Sequence, residues 1–124
     1  MVDADGCGST ACTAIVRKEG GQNILYLANI GDTRAVLSKN GRAERLSVDD
    51  RCDNVEEQIR IKQQNGLIVM NRVGGVLAVT RAFGDHSLRD SGLTAVPHIL
   101  KHTLKPFDKF LVIASDGVWD ELSD

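Results

Sequence analysis

Arg34-Ala35-Val36-Leu37-Ser38-Lys39-Asn40-Gly41-Arg42-Ala43-Glu44-Arg45-Leu46 decides the fold class. Two short runs, Arg34 to Ser38 and Arg42 to Leu46, flank Lys39-Asn40-Gly41, and Asn-Gly supplies the two positive φ angles of a type I′ turn. This predicts a β-hairpin. A second hairpin precedes it. Thr10 to Val16 is rich in small and β-branched residues, and Ile24 to Ile30 reads Ile-Leu-Tyr-Leu-Ala-Asn-Ile. The polar run Arg17-Lys18-Glu19-Gly20-Gly21-Gln22-Asn23 between them reads as a loop. Together the four runs predict an antiparallel meander.

Further along, Asn54 can cap a helix, Glu57 sits where a capping box would place it, and Gly66 can end it. The only apolar spacing within is Val55 to Ile59, so the helix is expected on the surface, packed through that edge. Leu67 to Met70 and Val76 to Thr80 read as strands joined by a tight turn at Gly74-Gly75. Phe110 to Ser115 reads as a final strand buried on both faces, with a helix starting at Glu121. The expected class is α+β. The chain has 124 residues, which suits one domain or part of one. Because one light helix leaves an apolar sheet face uncovered, residues 1–124 are expected to be a single partial domain, truncated at both ends.

Composition excludes several function classes. Lys and Arg number 15, Asp and Glu 17, for a formal charge of −2. No basic footprint for nucleic acid or polybasic membrane signal follows from that balance. Hydrophobic residues make up 42% and charged residues 26%, a globular rather than a disordered mixture. No apolar run approaches the roughly 20 residues of a membrane span, and Met1-Val2-Asp3-Ala4-Asp5 lacks the character of a secretory signal. Cys7, Cys12 and Cys52 are odd in number and lack zinc spacing, so free thiols in a cytoplasmic setting are expected.

Two places share one design, an apolar strand running into an Asp beside a glycine: Ala28-Asn29-Ile30-Gly31-Asp32 and Ile113-Ala114-Ser115-Asp116-Gly117. A carboxylate at a strand end is rigidly held yet projects outward, and carboxylate oxygens are the ligands Mg²⁺ and Mn²⁺ prefer. Asp120, shortly after Asp116, would suit the same corner. Asp-Gly is equally a common turn dipeptide, and Asp120 equally an N-cap for a helix starting at Glu121.

Five ordered blocks then add a resemblance. Gly8-Ser9-Thr10-Ala11, Ala28 to Leu37, Leu46-Ser47-Val48-Asp49, Gly75 to Asp85 and Ala114 to Asp120 resemble the successive motifs of the protein phosphatase 2C family of metal-dependent serine/threonine phosphatases. The resemblance implies a β-sandwich of antiparallel sheets with flanking helices, of which this chain would be the central-to-C-terminal part. It implies a binuclear Mn²⁺ or Mg²⁺ centre with Asp116 as a ligand, and Asp32 and Asp120 as carboxylates for a further, more weakly held ion. A metal-activated water would hydrolyse phosphoserine and phosphothreonine in phosphoprotein substrates, with no catalytic role for a thiol. Residues 52–75 correspond to the family's flap, where Arg60 and Lys62 are the candidate substrate contacts; the same charges fit any solvated helix. Localisation would be cytoplasmic, extending to the nucleus.

Departures accompany the match. The family's Asp-Gly-His-Gly-Gly and terminal Asp-Asn motifs are not in this sequence; Asp5-Gly6-Cys7-Gly8 belongs to the later block, and Asp53-Asn54 is the wrong Asp-Asn. Asp50 stands where the family commonly has His, and Arg51-Cys52 replaces Lys-Pro. His86, His98 and His102 lie outside the motifs and read as surface residues. Arg34 and Arg81 are expected to pair with carboxylates such as Asp85, and Trp119 to anchor the strand-to-helix corner. Too few metal ligands leave the chain inactive by itself. The alternative is a non-catalytic, phosphatase-like regulatory or binding module. Unpaired strand edges predict a homodimer or strand-swapped assembly.

Overall fold

Short strands joined by tight turns make up most of the regular structure in the computed structural model, which describes residues 6–124. Asp5 and the four residues before it lie outside the described residues. The strands are β1 (Gly8–Ser9), β2 (Ala11–Glu19), β3 (Gln22–Ile30), β4 (Arg34–Lys39), β5 (Arg42–Arg45), β6 (Ile68–Val69), β7 (Arg72–Val73), β8 (Phe83–Gly84), β9 (His98–Thr103) and β10 (Asp108–Ala114). Helices are α1 (Val55–Gln63) and α2 (Asp116–Trp119), with a 3₁₀ segment at His86–Ser91. Antiparallel sheets with few helices place the chain in the α+β class. Among the described residues no helix is long and apolar enough to cross a membrane. The chain divides into two compact units.

The sheet unit comprises Cys12–Asn29, Thr33–Val48 and Pro97–Asp124. It holds two three-stranded sheets, ordered β2-β3-β9 and β10-β4-β5. Their inner faces oppose one another around a cavity of about 230 Å³, lined by Ala14, Val16 and Leu25 from one sheet and Leu37 and Leu111 from the other. Leu25, Leu27, Ala35 and Leu37 are buried. Asn40 (φ 53°) and Gly41 (φ 76°) form the expected turn between β4 and β5. The earlier turn is shorter than the loop predicted for it. Gly20 and Gly21, at φ 55° and 80°, make the reversal alone, and the polar residues around them continue β2 and β3 because an exposed strand end tolerates charge.

Two expectations fail in this unit. β3 and β4 do not pair, since they lie in different sheets, so the hairpins do not form one meander. β10 is not buried on both faces: Phe110 is 62% exposed, and Val112 and Ile113 are also exposed. It is an edge strand, hydrogen-bonded to β4 from Phe110↔Ser38 to Ala114↔Arg34, and a run of apolar letters does not reveal which face is covered.

The other unit contains the described residues up to Ala11, then Ile30–Asp32 and Asp49–Val96. Helix α1 starts as expected, with the Asn54 side chain accepting from the Glu56 and Glu57 N–H groups. Its end differs. Asn65 takes the left-handed position at φ 56°, the Gly66 N–H donates to Ile61 O at 2.9 Å and the Asn65 N–H to Lys62 O at 3.1 Å, a Schellman motif with Asn in the usual glycine place. Gly66 is small for a different reason: a Cβ there would lie 2.5 Å from Ser91 O.

The buried edge of α1 is also not the expected one. Val55 and Ile59 are 65% and 52% exposed, whereas Ile61 is 1% exposed and packs with Cys52, Val73, Val79, Ala82 and Leu93. Glu57 is buried beside it, which hid this edge from a reading of apolar spacing. Nor is Val76 to Thr80 a strand. β6 pairs with β7 across Met70-Asn71, both at positive φ, and the later stretch makes only isolated bridges, Val73↔Leu77 and Arg51↔Val79.

Glu57 survives burial because cations converge on it. Arg81 Nη2 lies 2.6 Å from Oε1, Arg60 Nη2 2.8 Å from Oε2, and the Thr80 hydroxyl donates to Oε2 at 2.7 Å. Burial pushes the carboxyl pKa up, but the hydrogen bonds from Arg81, Arg60 and Thr80 outweigh it and lower it from the ordinary 4.5 to about 2. The capping-box role expected of this side chain is therefore not taken.

Ile61→Ala is expected to lower the unfolding free energy by about 2–5 kcal/mol, and Ile59→Ala to change it by no more than about 0.5 kcal/mol, both read by urea denaturation. A carboxyl whose folded pKa is depressed stabilises fully above its unfolded value and loses that contribution as pH falls through the folded one. Stability should thus decline from pH 4.5 towards 2, by about 3 kcal/mol for this group. The decline across that window should shrink in Glu57→Gln, as measured by denaturation at a series of pH values.

Candidate functional site

The three carboxylates singled out in the sequence fall in separate units. Asp32 belongs to the unit with α1, while Asp116 and Asp120 belong to the sheet unit.

Asp32 follows the last residue of β3 and a glycine with a positive φ of 83°. A side chain at Gly31 would run into the Thr10 methyl group and approach the Arg81 carbonyl, so only glycine fits. Two hydrogen bonds fix this glycine: its N–H donates to Asp50 Oδ2 at 2.9 Å, and the Asp50 N–H donates to Gly31 O at 3.0 Å. Asp50 is 0% exposed, and Arg81 Nε lies 3.4 Å from its Oδ1. The Asp32 side chain is itself mostly buried, with Oδ2 3.3 Å from Arg51 Nε. On the sheet-unit side of the same turn, the Thr33 hydroxyl donates to Asn29 Oδ1 and Asn29 Nδ2 to Val48 O, each at 3.0 Å. Gly31 and Thr33, the residues on either side of Asp32, are thus each bonded to a buried side chain, Asp50 and Asn29.

At the other position, β10 delivers the chain into α2. Ser115 is the N-cap and Asp116 the first helical residue. The expected helix start at Glu121 is therefore too late, and Asp120 ends the turn instead of capping one: its N–H donates to Asp116 O at 2.8 Å. The Asp-Gly pair is part of the helical turn itself. Trp119 anchors the corner as expected. Its indole N–H donates to Ala114 O at 3.0 Å, and the Arg34 guanidinium sits 5.3 Å from its ring centroid. Asp116 is half-buried, and among the described residues its carboxylate makes no hydrogen bond or ion pair.

Taken one by one, these carboxylates are hard oxygen donors of the kind Mg²⁺ or Mn²⁺ takes, and both oxygens of half-buried Asp116 are without a partner among the described residues.

The remaining candidates divide. Arg60 spends its donors inside its own unit: besides Glu57, it donates to Gly92 O at 2.9 Å and Thr80 O at 3.0 Å. Lys62 is exposed. Arg34 and Arg81 do pair with carboxylates, but not with Asp85. Arg34 meets Asp124 at 2.7 Å, and Arg81 meets Glu57 and Asp50. For Arg81, burial lowers the guanidinium pKa, but the bond to Glu57 and its charge raise it overall. Asp85 instead sits left-handed at φ 45° with its N–H donating to Cys7 O. Of the histidines, His86 is exposed, but His102 is not a surface residue; its Nε2 lies 2.9 Å from Asp108 Oδ2, with the ring largely buried. Sequence reasoning missed Asp50 and Glu57 as organising groups. One signal was present, an arginine at position 81 set between Val79-Thr80 and Ala82-Phe83, where apolar flanks demand a buried counter-charge.

Comparison with known proteins agrees with the motif blocks. The model of the protein phosphatase 2C family, "Protein phosphatase 2C", matches residues 2–124. Protein phosphatase 2C homolog 1 of Schizosaccharomyces pombe is 44% identical over 123 residues, 97% of this chain and 35% of that protein. Protein phosphatase ppm-1.G of Caenorhabditis elegans is 39% identical over 129 residues, covering 98% of this chain and 26% of the relative. A crystal structure of serine-threonine phosphatase 2C from Toxoplasma gondii superposes with a TM-score of 0.76 at 26% identity, over 92% of this chain and 43% of that one. The chain spans about a third of the length of the curated relatives it matches. With one family model spanning nearly every residue, and the motif blocks in family order, the chain belongs to the protein phosphatase 2C family.

Proposed function

We propose that this chain contributes to the metal-dependent hydrolysis of phosphoserine and phosphothreonine in proteins. The supporting observation is the family match across residues 2–124, joined to an Asp116 carboxylate that has no protein partner among the described residues. In this reading Asp116 is a ligand of the Mn²⁺ or Mg²⁺ centre, and Asp32 and Asp120 serve a further ion. When bound, such ions activate water for attack on phosphorus and polarise the phosphoryl oxygens. The chain's own residues hold the carboxylates still. β10 and the Trp119 anchor fix Asp116; Asp50, Gly31 and Arg51 fix Asp32.

Residues 52–75 act as the flap. Lys62, exposed on α1, is the better candidate there for meeting an anionic substrate, because Arg60 is bonded to Glu57, Thr80 and Gly92. The domain is partial, the compartment is the cytoplasm or nucleus, and exposed edges such as β10 support self-association into a dimer.

With so few carboxylates, the 124-residue chain should release no measurable p-nitrophenol from p-nitrophenyl phosphate in excess Mn²⁺. It should still bind Mn²⁺ weakly by titration calorimetry, and Asp116→Asn should weaken that binding by at least about tenfold, the lower end of what losing even an outer partner of a ligand costs. Turnover approaching that of a full-length relative would overturn the inactivity of the chain alone. Unchanged Mn²⁺ binding in Asp116→Asn would overturn the ligand assignment.

A further inference from the structure

Asp50 is not one of the three proposed ligands, yet it is bonded to Gly31, the residue immediately before Asp32. Its side chain is fully buried, and its two carboxylate oxygens have different tasks. Oδ2 accepts the Gly31 N–H at 2.9 Å, and Oδ1 faces Arg81 Nε at 3.4 Å. Its backbone is engaged as well, with the N–H donating to Gly31 O at 3.0 Å and the carbonyl accepting the Thr80 N–H at 2.8 Å. Gly31 and Asp50 therefore form a closed pair, bonded in both directions. Gly31 cannot move without breaking both bonds, and Asp32 is the next residue.

Asp50 occupies the position where the family resemblance has His. A neutral imidazole offers one acceptor, whereas a carboxylate offers two oxygens with several lone-pair sites. Here one oxygen accepts the Gly31 N–H, and the charge that burial would otherwise penalise is met by the Arg81 guanidinium, whose Nε–H is itself donated to Glu57 Oε2 at 3.1 Å.

We propose that Asp50 is a positioning residue for Asp32: through Gly31 it sets the direction of the carboxylate that receives the weakly held divalent cation. The proposal rests on the reading of Asp32 as a ligand. Outer partners of a metal-binding group commonly change affinity by about 10–100-fold when removed, without touching the ion. Arg51, 3.3 Å from the Asp32 carboxylate, limits the rotamers open to Asp32, so a small rotation at Gly31 would aim the oxygens elsewhere.

The test is Mg²⁺-induced shift change of backbone amides in the ¹⁵N-labelled chain, which is local to each carboxylate and detects the metal without turnover. Shifts at Gly31, Asp32 and Thr33 are expected in the wild type and should vanish in Asp32→Asn. Asp50→Ala should require about tenfold more Mg²⁺ for the same effect, while the shifts at Asp116 and Gly117 titrate as before. Asp50→Asn keeps an oxygen for the Gly31 N–H and should retain a near-normal titration. Should Asp50→Ala fail to fold, Asp50→Ser reads the same quantity, since its hydroxyl is too short to reach Gly31. If Asp32→Asn abolishes the shifts while Asp50→Ala or Asp50→Ser leaves the titration unchanged, positioning by Asp50 is wrong and the ligand reading stands. Loss in Asp50→Asn as well as in Asp50→Ala also contradicts it, because charge and not the bond to Gly31 would then matter. Shifts that persist in Asp32→Asn sink the ligand reading itself, and the role of Asp50 with it.

Discussion

A carboxylate taken out of water without a counter-charge is destabilising by several kcal/mol, and two of them, Asp50 and Glu57, are buried in the same unit of this protein. Arg81 answers both. Its Nη2 and Nε donate to the two oxygens of Glu57 at 2.6 and 3.1 Å, and its charge lies 3.4 Å from Asp50 Oδ1, so a single guanidinium ties helix α1 to the segment that holds Gly31. Arg60 supplies the second cation to Glu57. Removing Arg81 would leave two buried anions short of charge, a far larger penalty than deleting an exposed ion pair. That asymmetry fixes α1, the residues around Thr80 and the Gly31 turn as one arrangement.

Apolar residues of equal volume could fill the same space, but they could not hold Gly31 as Asp50 does. Here the specified object is a backbone turn. Asp32 is presented by a left-handed glycine that the Thr10 side chain and the Arg81 carbonyl keep small, and that Asp50 holds from both sides. Asp116 is presented differently, by a strand bonded to β4 through to its last residue and a tryptophan bonded back onto that strand. One carboxylate depends on buried charge and the other on sheet register.

The sequence made the sheet unit's hairpins legible because Asn40-Gly41 and Gly20-Gly21 state their φ angles in their letters. It also placed Asp32 and Asp116 just beyond strand ends, because an apolar run that stops at a Gly-Asp or Asp-Gly pair marks where a strand gives way to a turn. Coverage of β10 was not legible, since Phe110 and Val112 look the same whether a face is buried or open. The buried edge of α1 was hidden for the opposite reason: its inner position is filled by Glu57, a residue that apolar-periodicity reasoning assigns to solvent. Met70-Asn71 likewise turns the chain with a methionine at φ 49°, a choice local propensity argues against and the β6-β7 pairing enforces. In each of these cases tertiary context overrode a local preference.

The central claim is that buried partners aim Asp32 at a divalent cation. Anomalous scattering from Mn²⁺ in crystals of this protein tests it most directly. The account predicts a manganese peak within roughly 2.0–2.3 Å of an Asp32 carboxylate oxygen, the range for such hard cations, with both Gly31–Asp50 hydrogen bonds still made. A Mn²⁺-saturated crystal with no metal at Asp32, or with metal there and the Gly31–Asp50 pair broken, would contradict it.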